Sequence, residues 1–258
     1  MDNNKPIGIF DSGIGGTSIW REIHQLLPAE KTIYLADSKN APYGQKTKQE
    51  IIALCMKNTD LLLQMDCKLI VVACNTATTN AIKELRDKYA IPFIGIEPAI
   101  KPAALNSKTQ KIGILATQGT LISELFNKTA EKFQTTKIIE QVGHGLVQLI
   151  EGGEINSSEM TELLKSYLQP MIDADIDHLV LGCSHYPYLI PQIKKILPEH
   201  IQIIDSGQAV AKQTQKVLEN QVGFSTEKEN QPIFYTNTNP SVLKGILGKD
   251  FQVEELDF

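Results

Sequence analysis

The chain reads as an α/β protein of two pseudosymmetric, doubly wound domains with mostly parallel sheets and a site in the cleft between them. Three observations predict this. Short apolar runs alternate with helix-like stretches, the pattern of βα units with helices on both sheet faces. The 258 residues suffice for two domains of about 100 to 150 residues each. Motifs also recur at nearly one spacing: Ile7-Gly8-Ile9-Phe10 returns as Ile112-Gly113-Ile114-Leu115, Cys74 as Cys183, and Ile96-Glu97 as Ile204-Asp205. Three matches at one offset predict a duplicated unit. The second copy spans 99–207, and the first domain combines 1–98 with a tail, 208–258, that has no counterpart and returns to cover it.

The elements run in this order. Ile7–Phe10 and Thr32–Ala36 are the first strands, each a continuous apolar run of the kind a parallel sheet buries on both faces. Thr47 with Glu50 makes a capping box ahead of a helix over Ile51–Met65. Leu69–Ala73 is the next strand, and Asn75 or Thr76 caps the helix running to about Lys88. Pro92–Ile96 closes the first set, with Pro92, Pro98 and Pro102 punctuating its end. Lys111–Ala116, His178–Gly182 and Ile201–Ile204 are the strands of the second copy. His144 and Glu151 fall on a helix with Leu146, Val147 and Ile150.

Composition excludes several classes. With 42% hydrophobic and 21% charged residues, no run approaches the ~18 apolar residues that span a bilayer, so no membrane partner is expected. A net charge of −5, with Lys194-Lys195 as the longest basic run, carries no nucleic-acid footprint and leaves a small molecule as the expected partner. The first residues lack a secretory signal pattern, which predicts a cytoplasmic protein. Four scattered cysteines, none in a CxxC pair, read as thiols rather than a disulfide framework. Of these, Cys55 and Cys67 read as core packing.

In parallel sheets, ligands bind beyond the carboxyl ends of the strands. Asp11-Ser12, Cys74-Asn75-Thr76, Thr117 and Cys183-Ser184-His185 all stand at such ends. A cysteine at a helix N-terminus gains thiolate character from the dipole and free N–H groups, so both thiols are candidate bases or nucleophiles. The turn Asp11-Ser12-Gly13-Ile14-Gly15-Gly16 raises dinucleotide binding, with Asp37 about where a ribose-binding acid belongs. It lacks the GxGxxG order, and an aspartate at its front repels pyrophosphate, so no cofactor is expected. Metal is disfavoured too, since only Cys183 and His185 are close in sequence. His185 is a candidate acid or base; Ser184, Asn75 and Thr76 offer donors for a carboxylate, with plain capping as the alternative role.

Two thiols in mirrored positions suit proton removal from one face of a carbon and proton return to the other, which is stereochemical inversion. Asp11 and His185 could tune them. The residues that carry this reading closely resemble the glutamate racemases of the aspartate/glutamate racemase family: Phe10-Asp11-Ser12-Gly13-Ile14-Gly15-Gly16, Ala41-Pro42-Tyr43-Gly44, Ala73-Cys74-Asn75-Thr76-Ala77, Gly95-Ile96-Glu97-Pro98, Thr117 with Gly119-Thr120, and Gly182-Cys183-Ser184-His185-Tyr186-Pro187. They run in order over residues 7–187, and Asp205-Ser206-Gly207 extends the match. The resemblance implies cofactor-independent interconversion of L- and D-glutamate, D-glutamate for peptidoglycan, and a homodimer. It implies that Cys74 takes the α-proton of D-glutamate and Cys183 that of L-glutamate, assisted by Asp11, His185 and Glu151. Asp11, Ser12, Tyr43, Gly44, Asn75, Thr76, Ser184 and His185 would hold substrate, with Thr117 and Thr120 lining the pocket.

Two positions depart from the family pattern. Ser184 stands where threonine is usual, keeping the hydroxyl. Val142-Gly143-His144 stands where Ala-Cys-Pro is common, ahead of Glu151. The alternatives are an aspartate or other amino-acid racemase on the same scaffold, a cysteine hydrolase, which gives the second thiol no task, and a two-domain binding protein without turnover.

Overall fold

The computed structural model describes residues 3–227 and 230–258. Its strands are β1 (Ile7–Asp11), β2 (Thr32–Ala36), β3 (Leu69–Val72), β4 (Phe93–Gly95), β5 (Lys111–Ala116), β6 (Lys137–Val142), β7 (His178–Gly182), β8 (Gln202–Ile204), β9 (Ile233–Thr236) and β10 (Gln252–Glu255). They form two sheets, ordered β10-β9-β2-β1-β3-β4 and β6-β5-β7-β8. Every pairing is parallel.

The second sheet, β6-β5-β7-β8, repeats the order β2-β1-β3-β4 of the first. β1 and β5, the two Ile-Gly-Ile strands, are the central pair in this correspondence, and Cys74 and Cys183 come after the equivalent strands β3 and β7. The tail adds β9 beside β2 and β10 outside it, and it packs the helix Gly207–Val217 against the helix Thr17–Leu26.

Side chains of the inner strands β1, β2, β3, β5 and β7 alternate between two buried faces, as a parallel sheet covered on both sides requires. Ile7, Ile9, Leu69 and Val71 pack with Ile19, Trp20 and Ile23, in a core continuous with Leu179, Leu181, Leu164 and Leu168 of the second half. Phe10, Leu35, Ile70 and Val72 face the other way, onto Ile51, Cys55 and Leu62 of the helix Lys48–Gln64 and Ala81 and Leu85 of the helix Asn75–Lys88. In the second sheet Ile112, Ile114 and Val180 meet Ile100, Ala103 and Phe126. The first of these cores runs through both halves, so the strand ends carrying the two cysteines are set by one shared packing.

The capping box stands as expected: Thr47 Oγ1 accepts the Glu50 N–H at 3.3 Å, and Glu50 accepts the Thr47 N–H at 2.8 Å. Reciprocal capping of this kind satisfies two otherwise orphaned donors. Thr47→Ala is expected to lower unfolding free energy by about 1 kcal/mol in urea titrations; an unchanged midpoint would show that the box contributes nothing.

Candidate active site

Cys74 is itself the N-cap of the helix Asn75–Lys88, in place of the Asn75 or Thr76 expected from sequence. Its extended backbone (φ −102°, ψ 123°) lets the sulfur accept the Ala77 N–H at 3.4 Å, while the thiol donates to Ser12 Oγ at 3.6 Å. Asn75 is thereby freed from capping. Its side chain is 2% exposed, and both its Oδ1 and Nδ2 lack a partner within the protein. An unsatisfied buried amide is costly, and beside a cavity it is the mark of a ligand contact.

The helix N-terminus does not leave Cys74 acidic, contrary to expectation. Burial pushes its thiol up and the nearby Asp11 charge adds to this; the Ala77 N–H and the Ser12 hydroxyl only partly offset them. Desolvation of a fully enclosed sulfur outweighs one backbone donor. Asp11, at the end of β1, is also raised by burial, against the opposing charge of His185. Its carboxylate accepts the Gly13 N–H at 3.0 Å and the Ser184 hydroxyl at 2.9 Å.

Cys183 leaves β7 into a different setting. The chain turns there into a short 3-10 helix, Tyr186–Leu189, rather than the α-helix start expected from sequence. His185 Nδ1 lies 3.8 Å from the Cys183 sulfur, and His185 Nε2 lies 2.5 Å from Glu151 Oε1. Burial alone would strip the imidazole of its proton. Cys183, Glu151 and Asp11 outweigh that penalty and hold His185 well above the usual histidine range, as an imidazolium. A cation beside the Cys183 sulfur is the counter-ion a thiolate needs.

Glu151 is the last residue of the helix Leu146–Glu151. Besides His185 it accepts the Ile14 N–H at 2.7 Å on Oε1 and the Ser38 hydroxyl at 2.8 Å on Oε2, so it joins the second half to two loops of the first. His144 lies outside this helix, which begins after Gly145 in the left-handed region (φ 81°). The glycine-rich turn is explained by the same contacts. A methyl group on Gly13 would fall 1.9 Å from Glu151 Oε1, and one on Gly15 2.2 Å from His185 Nδ1. The glycines admit side chains, where a dinucleotide turn would admit phosphate.

Ser12, Tyr43, Gly44, Cys74, Asn75, Thr76, Thr117, Cys183, Ser184 and His185 border one cavity of about 10 Å³, space for about one water. Asp11, Glu151 and Thr120 stand one layer behind, bonded to Ser184, His185 and Thr76 respectively. The hydroxyls of Thr76, Thr117 and Thr120 meet across the halves at 2.7 to 3.2 Å. Pro42, inside the Ala41–Gly44 motif but given no role there, and Val147 also line the cavity, and Ser38 supports Glu151; neither motif nor spacing marks Val147 or Ser38. The two thiols are close enough for the charge of Cys183 to raise Cys74 further. Cys55 and Cys67 lie in the core; burial pushes Cys55 far up and Cys67 up to about 12, leaving both inert.

Among the described residues no helix is long and apolar enough to cross a membrane. The family profile of the Asp/Glu/Hydantoin racemases matches residues 7–214. A glutamate racemase of Ralstonia pickettii is 47% identical over 214 residues, covering 83% of this chain and 76% of its own. One from Ectopseudomonas mendocina is 40% identical over 254 residues, covering 96% and 97%. The crystal structure of Escherichia coli glutamate racemase with L-glutamate and the activator UDP-MurNAc-ala superposes with a TM-score of 0.88 at 31% identity, covering 98% of both chains. The family profile over residues 7–214, with relatives at 40 to 47% identity, places this chain in the Asp/Glu/Hydantoin racemase family.

Proposed function

We propose that this protein interconverts L- and D-glutamate by two-base proton transfer, with Cys183 and Cys74 serving opposite faces of the α-carbon. One observation carries the reading: both sulfurs border one cavity, yet their surroundings are electrostatically opposite. Cys183 has an imidazolium 3.8 Å away, whereas burial and Asp11 hold Cys74 as a neutral thiol. Inversion needs one thiol to act as the base and the other as the acid, and the imidazolium beside Cys183 suits it to the first role.

In the forward direction the Cys183 thiolate removes the α-proton of L-glutamate, and the Cys74 S–H delivers a proton to the opposite face, giving D-glutamate. Cys183 then holds a proton and Cys74 a thiolate, the arrangement that accepts D-glutamate for the reverse step. The carbanionic state between the two transfers places charge on the α-carboxylate. The unpartnered Asn75 amide and the hydroxyls of Ser12, Thr76 and Ser184 are the donors available to it. Tyr43, Gly44 and Thr117 form the wall for the side-chain carboxylate, with Thr120 holding Thr76 and Thr117 in place. Glu151 and Asp11 share the task of keeping His185 charged.

Glutamate is much larger than the cavity, so binding requires the halves to part. The chain crosses between them near Glu97 and Ser206, where the Ser206 hydroxyl donates to the Glu97 carbonyl at 2.5 Å. We take these crossings as the boundaries between 99–207 and the domain formed by 1–98 with 208–258, and as the pivot. The reading extends to the cell: a cytoplasmic homodimer making D-glutamate for peptidoglycan. It predicts rescue of a bacterial strain that requires D-glutamate for growth.

Circular dichroism of L- or D-glutamate incubated with the enzyme should decay to zero ellipticity from both sides. Decay with aspartate and none with glutamate would replace the substrate. Since the enantiomers have equal free energy, kcat/KM must be equal in the two directions for every variant. Cys74→Ser and Cys183→Ser are each expected to lower it by about a hundredfold to ten-thousandfold, because a serine hydroxyl is a poor base at neutral pH. Wild-type kcat/KM in either variant would show that the pair is misassigned.

The raised His185 also predicts a stability signature. A group whose folded pKa lies above its unfolded value of about 6.5 stabilises the fold fully below that pH, and the contribution is lost as pH rises through the folded value. The stability of the wild type relative to His185→Asn should therefore fall as urea titrations move from about pH 6 upward. A difference that rises with pH would mean that His185 is neutral in the fold, and one independent of pH that its pKa is unshifted on folding.

A further inference from the structure

Asp37 follows β2 directly, is 0% exposed and does not border the cavity. Its Oδ2 accepts the Tyr43 hydroxyl at 2.5 Å, and Asn58 Nδ2 reaches the same hydroxyl oxygen at 3.1 Å. Its Oδ1 accepts Asn237 Nδ2 at 2.6 Å and Asn40 Nδ2 at 2.7 Å, with Lys57 Nζ at 3.4 Å. Asn237 comes from the tail, just beyond β9, some two hundred residues along the chain. It grips the loop after β2 at three points: its N–H donates to the Ala36 carbonyl at 3.4 Å, its Nδ2 to Asp37, and its Oδ1 accepts the Lys39 N–H at 2.9 Å.

That loop supplies Tyr43 and Gly44 to the cavity wall. Tyr43 is itself 1% exposed, so its hydroxyl has no water to turn to if Asp37 moves. A buried carboxylate with a donor removed costs free energy and drifts toward the donors that remain. Here the remaining donors to Oδ1 are Asn40, on the loop itself, and Lys57, at the edge of ion-pair distance. Asn58 Nδ2, from the helix Lys48–Gln64, reaches Oδ2 at 3.5 Å, and Asn237 is the amide that holds Oδ1 from the tail.

We propose that Asn237 is a positioning residue for substrate binding: through Asp37 it sets the Tyr43–Gly44 wall of the glutamate site without touching substrate. This rests on the racemase reading above. The position acts on the empty wall and on the bound state alike, so its loss should appear in KM more than in kcat. The tail is then a working part of the site as well as a cover for the first sheet.

The test measures kcat and KM for glutamate in the wild type, Asn237→Ala, Asn237→Asp and Tyr43→Phe, at several pH values. Asn237→Ala and Tyr43→Phe are each expected to raise KM about tenfold with kcat changed by less than about threefold. Asn237→Asp keeps the shape and the acceptor for Lys39 but sets a second carboxylate against Asp37. Lys57 and the Tyr43 hydroxyl face that pair from the neighbouring helix and loop, and Lys39 nearby is paired with Asp257 at 3.3 Å. Its KM relative to wild type should be raised most at alkaline pH and approach one as the pH falls and the added carboxyl takes a proton, becoming a donor like the amide it replaced. Lowered thermal stability with unchanged KM in Asn237→Ala, or a pH-independent KM ratio in Asn237→Asp, would overturn the proposal. If Asn237→Ala does not fold, the Asn237→Asp ratio and Tyr43→Phe decide it. Absence of glutamate turnover in the wild type would instead sink the racemase reading, and this inference with it.

Discussion

The Glu151 carboxylate is the contact on which the rest of the site depends. It sits at the end of a helix in the second half, yet its oxygens receive the Ile14 amide and the Ser38 hydroxyl from the first half and the His185 imidazole from its own. A buried imidazolium is stable only if anions surround it, and Glu151 shares that role with Cys183 and Asp11. Removing the Glu151 carboxylate would weaken the hold on the His185 proton. The same contact demands that the Gly13–Gly15 segment press against Glu151 and His185, which only residues without a Cβ can do.

Duplication supplies the frame and divergence supplies the chemistry. β3 and β7 occupy equivalent places in the four strands whose order the sheets share, and a cysteine follows each. From that point the copies differ. Cys74 enters a true helix, caps it, and lies near the Asp11 carboxylate; Cys183 enters a 3-10 turn and lies beside a histidine. The unlike surroundings suit one thiol to taking a proton and the other to giving one. The Asp11–Ser184 hydrogen bond ties the two sides together, so the charge on one is felt by the other.

Much of this was legible in the sequence, for physical reasons. Strands buried on both faces read as unbroken apolar runs, so β1, β2, β3, β5 and β7 stand out. The strands that escape notice are β6, β9 and β10. β6 and β10 are sheet edges whose sequences, Lys-Ile-Ile-Glu-Gln-Val and Gln-Val-Glu-Glu, mix charge into the pattern because one side is wet. In β9, Ile-Phe-Tyr-Thr, only alternate residues are buried, so it shows no continuous apolar run. Strand ends located Cys74, Cys183, Asp11, Ser12, Asn75 and Thr117 without any contact being known. Ser38 and Asn237 were invisible, since their partners lie 113 and about 200 residues away and a lone Ser or Asn in a loop carries no signal of its own. The protonation of Cys74 was read in the wrong direction because a helix end is visible in sequence and the depth of burial around a sulfur is not.

The central claim is that the proton arriving at the α-carbon comes from a different thiol than the one that took the proton away. L-glutamate incubated with the enzyme in D2O, sampled while little has turned over, tests it directly by mass spectrometry of the separated enantiomers. The account predicts D-glutamate carrying deuterium at the α-carbon from its first appearance, while the remaining L-glutamate lags far behind in label. D-glutamate that initially retains the original hydrogen would mean that one base carries the proton across, and the two-thiol account would be wrong.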